Sequence, residues 1–320
     1  MSKSIDIANY YPAIQIAADM IAPYAVKTPV LCNEQLNALT SARLYFKCEN
    51  LQRTGAFKFR GACHALLQLT SDQRQAGVYT VSSGNHGAAL ACAGRLLDIA
   101  VTVAVPRTAP KVKQENIARY QANIIMIEPG MEAREAFVAQ QQADNGEQTF
   151  IPPYDHPHII QGQGTAALEL VQQHPELTRL LTPLGGGGLL SGSTVVARQH
   201  GIDAVYGAEP ANADDAHESL AKGHIQPARK PVSICDGLLT SLGKHTFGIL
   251  SEHLDQVLLV EDTDTRKAQQ LIWQHLKVIV EPSAAITLAA VINHPELFKH
   301  QDVGIILSGG NVALAGEQFA

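Results

Sequence analysis

Between Val78 and Asn145 the chain alternates short apolar runs with segments of helical length, and that alternation leaves few folds open. Val78-Tyr79-Thr80-Val81, Ala100-Val101-Thr102-Val103-Ala104-Val105 and Asn123-Ile124-Ile125-Met126-Ile127 read as buried strands. Gly87 to Leu97, about Lys111 to Tyr120, and Glu132 to Asn145 read as helices. Strand–helix–strand units of this size close into a parallel sheet. A second set follows: a helix from Gly164 to Gln173, a strand Leu180–Leu184, a helix Leu190–His200 and a strand Ala204–Ala208. After an irregular stretch to about Gly243 come helices Thr265–Leu276 and Ser283–Asn293 and a strand Val303–Leu307. A helix over residues 11–21, a strand Leu44–Glu49 and a helix from Lys58 or Phe59 to about Leu69 precede both sets. The pattern predicts two three-layer α/β domains with parallel sheets. Residues 77–146 form the smaller, and 1–76 with 147–320 the larger.

The most reactive-looking stretch is Thr54-Gly55-Ala56-Phe57-Lys58-Phe59-Arg60-Gly61-Ala62. A solvated lysine is a poor nucleophile at neutral pH. Desolvation by flanking aromatics such as Phe57 lowers its pKa and frees the amine to form a Schiff base. Read alone, the stretch favours a surface lysine that snorkels past two rings at the start of a helix. Ser82-Ser83-Gly84-Asn85-His86 joins a strand to a helix, so its N–H groups suit an anion, here a substrate carboxylate. The same serines also serve as ordinary helix caps. Gly185-Gly186-Gly187-Gly188, followed by Leu189, is another strand-to-helix turn, whose bare backbone can wrap a phosphate. With Glu209 ending the next strand it also imitates a dinucleotide fingerprint, which keeps a nicotinamide-dependent Rossmann oxidoreductase open. Four consecutive glycines are not the spaced G-x-G-x-x-G, and that reading leaves Lys58 and Asn85 unexplained.

Together Lys58, the Ser82–His86 turn, the glycine run and Ser308-Gly309-Gly310-Asn311 resemble the serine/threonine dehydratase and serine racemase family. These are pyridoxal 5′-phosphate (PLP) enzymes of fold type II, with the tryptophan-synthase-β fold. The resemblance runs from about Pro29 to Val312 and is nearest to the branch of serine racemases and threo-3-hydroxyaspartate dehydratases. It implies PLP in the cleft between the domains, bound by Phe57, Lys58, Asn85, Gly185 to Leu189 and Ser308. It implies Lys58 and Ser83 as catalytic groups on opposite faces, and a substrate held by Ser82, Ser83, Gly84, Asn85, His86 and Arg134. Arg134 would meet a second carboxylate, which favours 3-hydroxyaspartate over serine or threonine. Ser308 would face the pyridine nitrogen, and a neutral hydroxyl there makes a weaker electron sink than a carboxylate. The string Glu209-Pro210-Ala211-Asn212-Ala213-Asp214-Asp215 matches the racemases' cation loop. It implies Mg²⁺ or Ca²⁺, with Mn²⁺ a further candidate, on Glu209, Ala213 and Asp215. The acidic string alone reads equally as a capped loop.

The activity implied is β-elimination from a small β-hydroxy amino acid to a 2-oxo acid and ammonia. Racemisation stands as a side activity or, alternatively, as the main one; a non-catalytic PLP carrier is the remaining alternative. A homodimer is usual in the family. Ala88 and Gln121 depart from its glutamine and glycine, which argues against nucleotide activation. With the chain ending at Ala320, the C-terminal regulatory domain of biosynthetic threonine deaminases is not expected.

Composition excludes other classes. A net charge of −6 with no Lys/Arg-rich run argues against nucleic acid or an anionic membrane as partner. The N-terminus has no apolar signal-like core, and no apolar stretch approaches the roughly 18 residues that span a bilayer. Five scattered cysteines, with no C-x-x-C, fit a reducing compartment. A soluble cytoplasmic protein is expected. His156 and His158 lie two apart in a proline-broken loop, so a zinc site there is not expected.

Overall fold

The computed structural model describes residues 7–82, 84–109, 111–144, 146–227 and 232–313. Among the described residues ten strands form two sheets: β1 (Val30–Leu31), β2 (Arg43–Cys48), β3 (Val78–Val81), β4 (Val101–Pro106), β5 (Asn123–Ile127), β6 (Thr149–Phe150), β7 (Arg179–Pro183), β8 (Ala204–Pro210), β9 (Gln256–Val260) and β10 (Asp302–Leu307). The larger sheet has the order β1-β2-β10-β7-β8-β9, parallel throughout except for the β1–β2 pair. The smaller is all parallel, in the order β5-β4-β3-β6.

Side-chain alternation along each strand builds the layers. Phe46, Leu181, Tyr206 and Ile305 of the larger sheet pack with the helix Pro282–Asn293. Their neighbours Tyr45, Leu180, Val205 and Ile306 face the helices Pro157–Gln173 and Gly188–Gln199. Both faces are therefore covered, as parallel sheets require. In the smaller sheet Val78, Val101 and Val103 pack on the helix Asn85–Leu97, while Tyr79, Val81 and Ala104 meet Phe137.

Several elements carry little local signal. β6 has two residues and joins the smaller sheet through β3, where a loop is expected from Phe150 onward. The helix expected from Gly164 begins at Pro157, because His156 accepts the His158 N–H at its start. The helix Asp215–Lys222 falls within the stretch expected to be irregular, and the helix Lys244–His253 follows it. The first is capped by Glu209, which accepts from the N–H groups of Ala216 and His217 at 2.8 Å each. The second is capped by Asp155, which takes the N–H groups of Lys244, His245 and Thr246 at 2.8–3.1 Å. Both caps are remote in sequence, and Asp155 especially so, so neither start could be read locally.

The helix Lys58–Leu67 is wedged between the two layers. Phe59, Ala62, Cys63 and Leu66 enter the core of the smaller sheet. On its other side Gly61 and Gly162 touch: a Cβ on Gly162 would stand 2.6 Å from the Gly61 Cα. The wedge is fixed by Arg60, which is fully buried. Its Nε and one terminal nitrogen donate to Glu49 at 2.7 and 2.8 Å, and its two terminal nitrogens reach Glu169 at 2.7 and 2.9 Å. Lys47, also fully buried, donates to Glu169 at 2.6 Å, to the Thr28 carbonyl at 2.7 Å and to Gln173 at 2.9 Å. Removing Arg60 strands the Glu49 carboxylate in the interior. Arg60→Ala is expected to cost roughly 3–5 kcal/mol, read from the shift in the urea unfolding midpoint. Arg60→Lys should recover only part of this, since an ammonium cannot make both bidentate pairs.

Candidate active site

One cavity of about 710 Å³ opens between the two sheets, at the C-terminal ends of their strands. Such crevices, outside the carboxyl ends of parallel strands, are where α/β folds bind ligands. Lys58, Phe57, Ser82, Gly84, Asn85, His86, Arg134, all four glycines of the run, Leu189 and Ser308 border it. Ser83 lies outside the described residues. Glu209, Ala213 and Asp215 are not among the residues lining the cavity; they lie beyond β8, in the turn Ala211–Ala213 and at the start of the helix Asp215–Lys222.

The Lys58 loop is bent by two consecutive left-handed residues, Thr54 (φ 62°) and Gly55 (φ 74°). Such a φ is costly for a β-branched residue, and it places Lys58 at the first position of its helix. The Phe57 N–H is tied to the Ser308 carbonyl at 3.0 Å, so β10 and the lysine loop are joined directly. Lys58 Nζ donates to the Pro153 carbonyl at 2.9 Å and stands 5.1 Å from the Phe57 ring centre. The side chain stays partly accessible because its amine opens onto the cavity. Burial lowers its pKa to about 8; the neighbouring Glu281 carboxylate pulls upward and only partly offsets the loss of water.

Two strand-to-helix turns border the cavity from opposite sheets. After β3, the Ser82 hydroxyl accepts from the N–H groups of Gly84 (3.3 Å) and Gly87 (3.1 Å) and so caps the helix Asn85–Leu97. The capping and the anion-binding readings of this turn are compatible. His86 is buried, its Nε2 is 3.2 Å from the Ile151 carbonyl, and desolvation pushes its pKa down to about 3. It is a neutral ring at working pH.

After β7, the glycine run enters the helix Gly188–Gln199 through Gly187 (φ 86°). A Cβ on Gly186 would lie 2.4 Å from the Tyr154 ring, so the ring packs directly on bare backbone. This is a cradle at a helix N-terminus, with no room for side chains and with a hydroxyl, Ser308, and a buried amine, Lys58, in the same cavity. Such a donor set fits a phosphorylated aldehyde.

Other lining residues carry no motif. Glu281 is buried and borders the cavity; burial raises its pKa to about 7. Lys113 of the helix Lys111–Ala118 forms an ion pair with Asp236 across the cavity, linking the two layers. Tyr154 precedes Asp155, which is tied to the start of the helix Lys244–His253. Only Glu281-Pro282, following the apolar Val278-Ile279-Val280, offers a sequence signal, that of a helix start. No group of three or more His, Cys, Asp and Glu side chains that could hold a metal occurs among the described residues, His156 and His158 included. Nor, among them, is any helix long and apolar enough to cross a membrane.

Fold and site place a desolvated lysine amine in one cavity with a helix terminus whose bare backbone suits an anion. Comparison with known proteins gives the class its name. A family profile described as "Pyridoxal-phosphate dependent enzyme" matches residues 21–309, and the chain belongs to that family. It is 44% identical to the serine racemase of Dictyostelium discoideum over 307 residues, covering 94% of each chain. It is 42% identical to the L-threo-3-hydroxyaspartate ammonia-lyase of Saccharomyces cerevisiae, covering 96% of this chain and 94% of the relative. The crystal structure of the Dictyostelium enzyme superposes with a TM-score of 0.89, at 43% identity, over 95% of this chain and 98% of that one. The fold is that of fold type II PLP enzymes, as the sequence predicts. The chain is therefore a PLP enzyme and not a nicotinamide-dependent oxidoreductase.

In cofactor-free protein Lys58 should be reductively methylated with a pH midpoint near 8, against about 10.4 for an exposed lysine. Mass spectrometry of the labelled peptide reads this, and a midpoint near that of surface lysines would contradict the desolvated site.

Proposed function

We propose that this protein catalyses PLP-dependent β-elimination from a small β-hydroxy amino acid (serine, threonine or 3-hydroxyaspartate), giving a 2-oxo acid and ammonia. A racemase reaction on the same site is the second activity. The observation that carries this reading is the Lys58 amine, depressed to about 8, in a cavity it shares with a glycine cradle and Ser308. The relatives named serine racemase and 3-hydroxyaspartate ammonia-lyase support both reactions.

When bound, PLP supplies the aldehyde that joins lysine or substrate and the ring that takes up negative charge. The residues do the rest. Backbone N–H groups of Gly185 to Gly188 and Leu189, at a helix N-terminus, would hold its phosphate. Phe57, Asn85 and Ser308, which border the same cavity, would hold its ring, Ser308 without a full charge. Ser82, Gly84 and neutral His86 surround the substrate carboxylate. Lys58, being near half-neutral at pH 8, takes the α-proton as base. The β-hydroxyl leaves with a proton as water, and the released enamine hydrolyses to 2-oxo acid and ammonia. Return of the proton to the other face, assigned to Ser83, gives racemisation. We place 77–146 as the domain that closes on substrate, and the protein as a cytoplasmic homodimer, where its five free thiols stay reduced.

Arg134 borders the cavity from the helix Met131–Asp144 and suits a second carboxylate. We therefore favour 3-hydroxyaspartate. Arg134→Leu is expected to lower kcat/KM for 3-hydroxyaspartate by about tenfold to a hundredfold, the worth of a charged hydrogen bond. Serine turnover should change far less. Assays of 2-oxo acid with L-serine, L-threonine and each 3-hydroxyaspartate isomer name the substrate, and Lys58→Ala should abolish both turnover and the visible absorption band. Exchange of the α-proton in D₂O reports the racemase step.

A divalent cation on Glu209, the Ala213 carbonyl and Asp215 is the last part of the proposal. Glu209 and Asp215 are both buried, and burial raises the Glu209 pKa to about 8 despite two N–H bonds, with Asp215 and Asp214 adding to it. A cation there would relieve this. The folded pKa lies above the ordinary 4.5, so without cation stability should fall as pH rises towards and through about 8. Melting temperatures at pH 6 and pH 9 should converge on adding Mg²⁺ or Ca²⁺, and Glu209→Gln should remove the cation's effect.

A further inference from the structure

Asn85 does not set its own orientation. An amide presents an acceptor at one end and two donors at the other, and its neighbours decide which end faces a ligand. Its Oδ1 accepts from Asn311 Nδ2 at 2.9 Å, and the same Asn311 nitrogen donates to the Thr54 carbonyl at 2.7 Å. Its Nδ2 donates to Glu281 Oε1 at 2.8 Å. The chain of donors therefore runs one way: Asn311 to Asn85, and Asn85 to Glu281. Both ends of the chain can only accept: the Thr54 carbonyl keeps Asn311 a donor to Asn85, and the Glu281 carboxylate takes the donor end of Asn85, so the amide has one direction. The second N–H of Asn85 Nδ2 is not committed elsewhere among the described residues, and Asn85 borders the cavity.

Glu281 is itself firmly placed. It begins the helix Pro282–Asn293, and its N–H donates to the Gly309 carbonyl at 3.0 Å. A Cβ on Gly309 would lie 2.6 Å from Glu281 Oε1, so that glycine makes room for the carboxylate. The other oxygen, Oε2, is buried and has no hydrogen-bond partner among the described residues. The charged groups that act on it are Lys58, Lys113 and Asp236, and the last two are paired with each other.

We propose that Glu281 is a positioning residue for the cofactor: its carboxylate turns the donor end of Asn85 to the cavity and holds a negative charge in the same cavity as the Lys58 amine. Both consequences follow from one group. Ionised, it orients Asn85 as a donor to a ligand oxygen and favours the Lys58 ammonium. Protonated, it is a weaker acceptor for the Asn85 amide, so that the Asn311 contact alone holds its direction, and the charge that favours the ammonium is gone. Burial holds the Glu281 pKa near 7, so the change falls within the working range.

The inference rests on Lys58 being the reactive amine, and the experiment separates the two. Wild type, Glu281→Gln, Asn311→Ala and Lys58→Ala are stripped of cofactor and reloaded with PLP across pH 6–10. The rate midpoint and the equilibrium affinity are recorded, with circular dichroism as the check on folding. Glu281→Gln keeps a carbonyl for Asn85 but not the charge, so its midpoint should fall by about one pH unit, with affinity nearly unchanged. Asn311→Ala keeps the charge and frees Asn85 Oδ1, so its midpoint should stay and its affinity weaken about tenfold, as for one lost hydrogen bond. A Glu281→Gln midpoint equal to or above wild type overturns the charge role. An Asn311→Ala affinity equal to wild type overturns the orienting chain, and does so even if Glu281→Gln fails to fold. A Lys58→Ala protein that still develops the visible band overturns the parent reading instead.

Discussion

The fold depends on a charge cluster that contains no catalytic group. Arg60 and Lys47 have no exposed surface, and Glu49 has none either; Glu169 alone reaches solvent. Bringing such ions out of water costs several kcal/mol each, and only short, multiple hydrogen bonds offset it. Here they are bidentate and shared: Arg60 with both carboxylates, Glu169 with both cations, Thr28 with Glu49 at 2.6 Å. The result is geometric more than energetic. One cluster joins β2, the Lys58 helix and the helix Pro157–Gln173, and so fixes the element that carries the Lys58 amine to the cavity. Any slip of that helix would break several charged bonds at once.

The site repeats one electrostatic theme with opposite signs. Desolvation is the largest influence on Lys58, Glu281 and Glu209, and it disfavours whichever form is charged. For the lysine this yields a free amine near neutral pH; for the carboxylates it yields groups poised to accept a proton or a counter-charge. The Coulombic pull of Glu281 on Lys58 is real but smaller than the loss of water. That balance leaves the Lys58 pKa at about 8, below that of a solvated ammonium.

The helix termini do the complementary work. The cavity is bordered by the starts of the helices Asn85–Leu97 and Gly188–Gln199, one from each sheet. Parallel sheets place these termini at the same end as the strand C-termini, so the positive ends of several dipoles converge where an anionic ligand would lie. Tyr154 packs on Gly186, and the next residue, Asp155, is tied to the helix Lys244–His253. Lys113 and Asp236 span the cavity and tie one layer to the other.

Much of this was legible along the chain. Short apolar runs separated by helical lengths could only close into parallel sheets, because both periodicities are local. Lys58 between two phenylalanines, the serine turn, the glycine run and Ser308 were recognisable because each chemistry is carried by consecutive residues. The remote partners were not legible. The helices at Asp215 and Lys244 start on caps from Glu209 and Asp155; β6 is a strand only because β3 is beside it. Glu281 and Asn311 read as a helix start and the end of a glycine turn. By itself, then, the sequence determined the layers and pointed to residues that the fold brings to one cavity. The tertiary structure decided the pKa of Lys58, the direction of the Asn85 amide and the pairing of Arg60, because desolvation, Coulomb interaction and hydrogen-bond direction depend on distance in space and not along the chain.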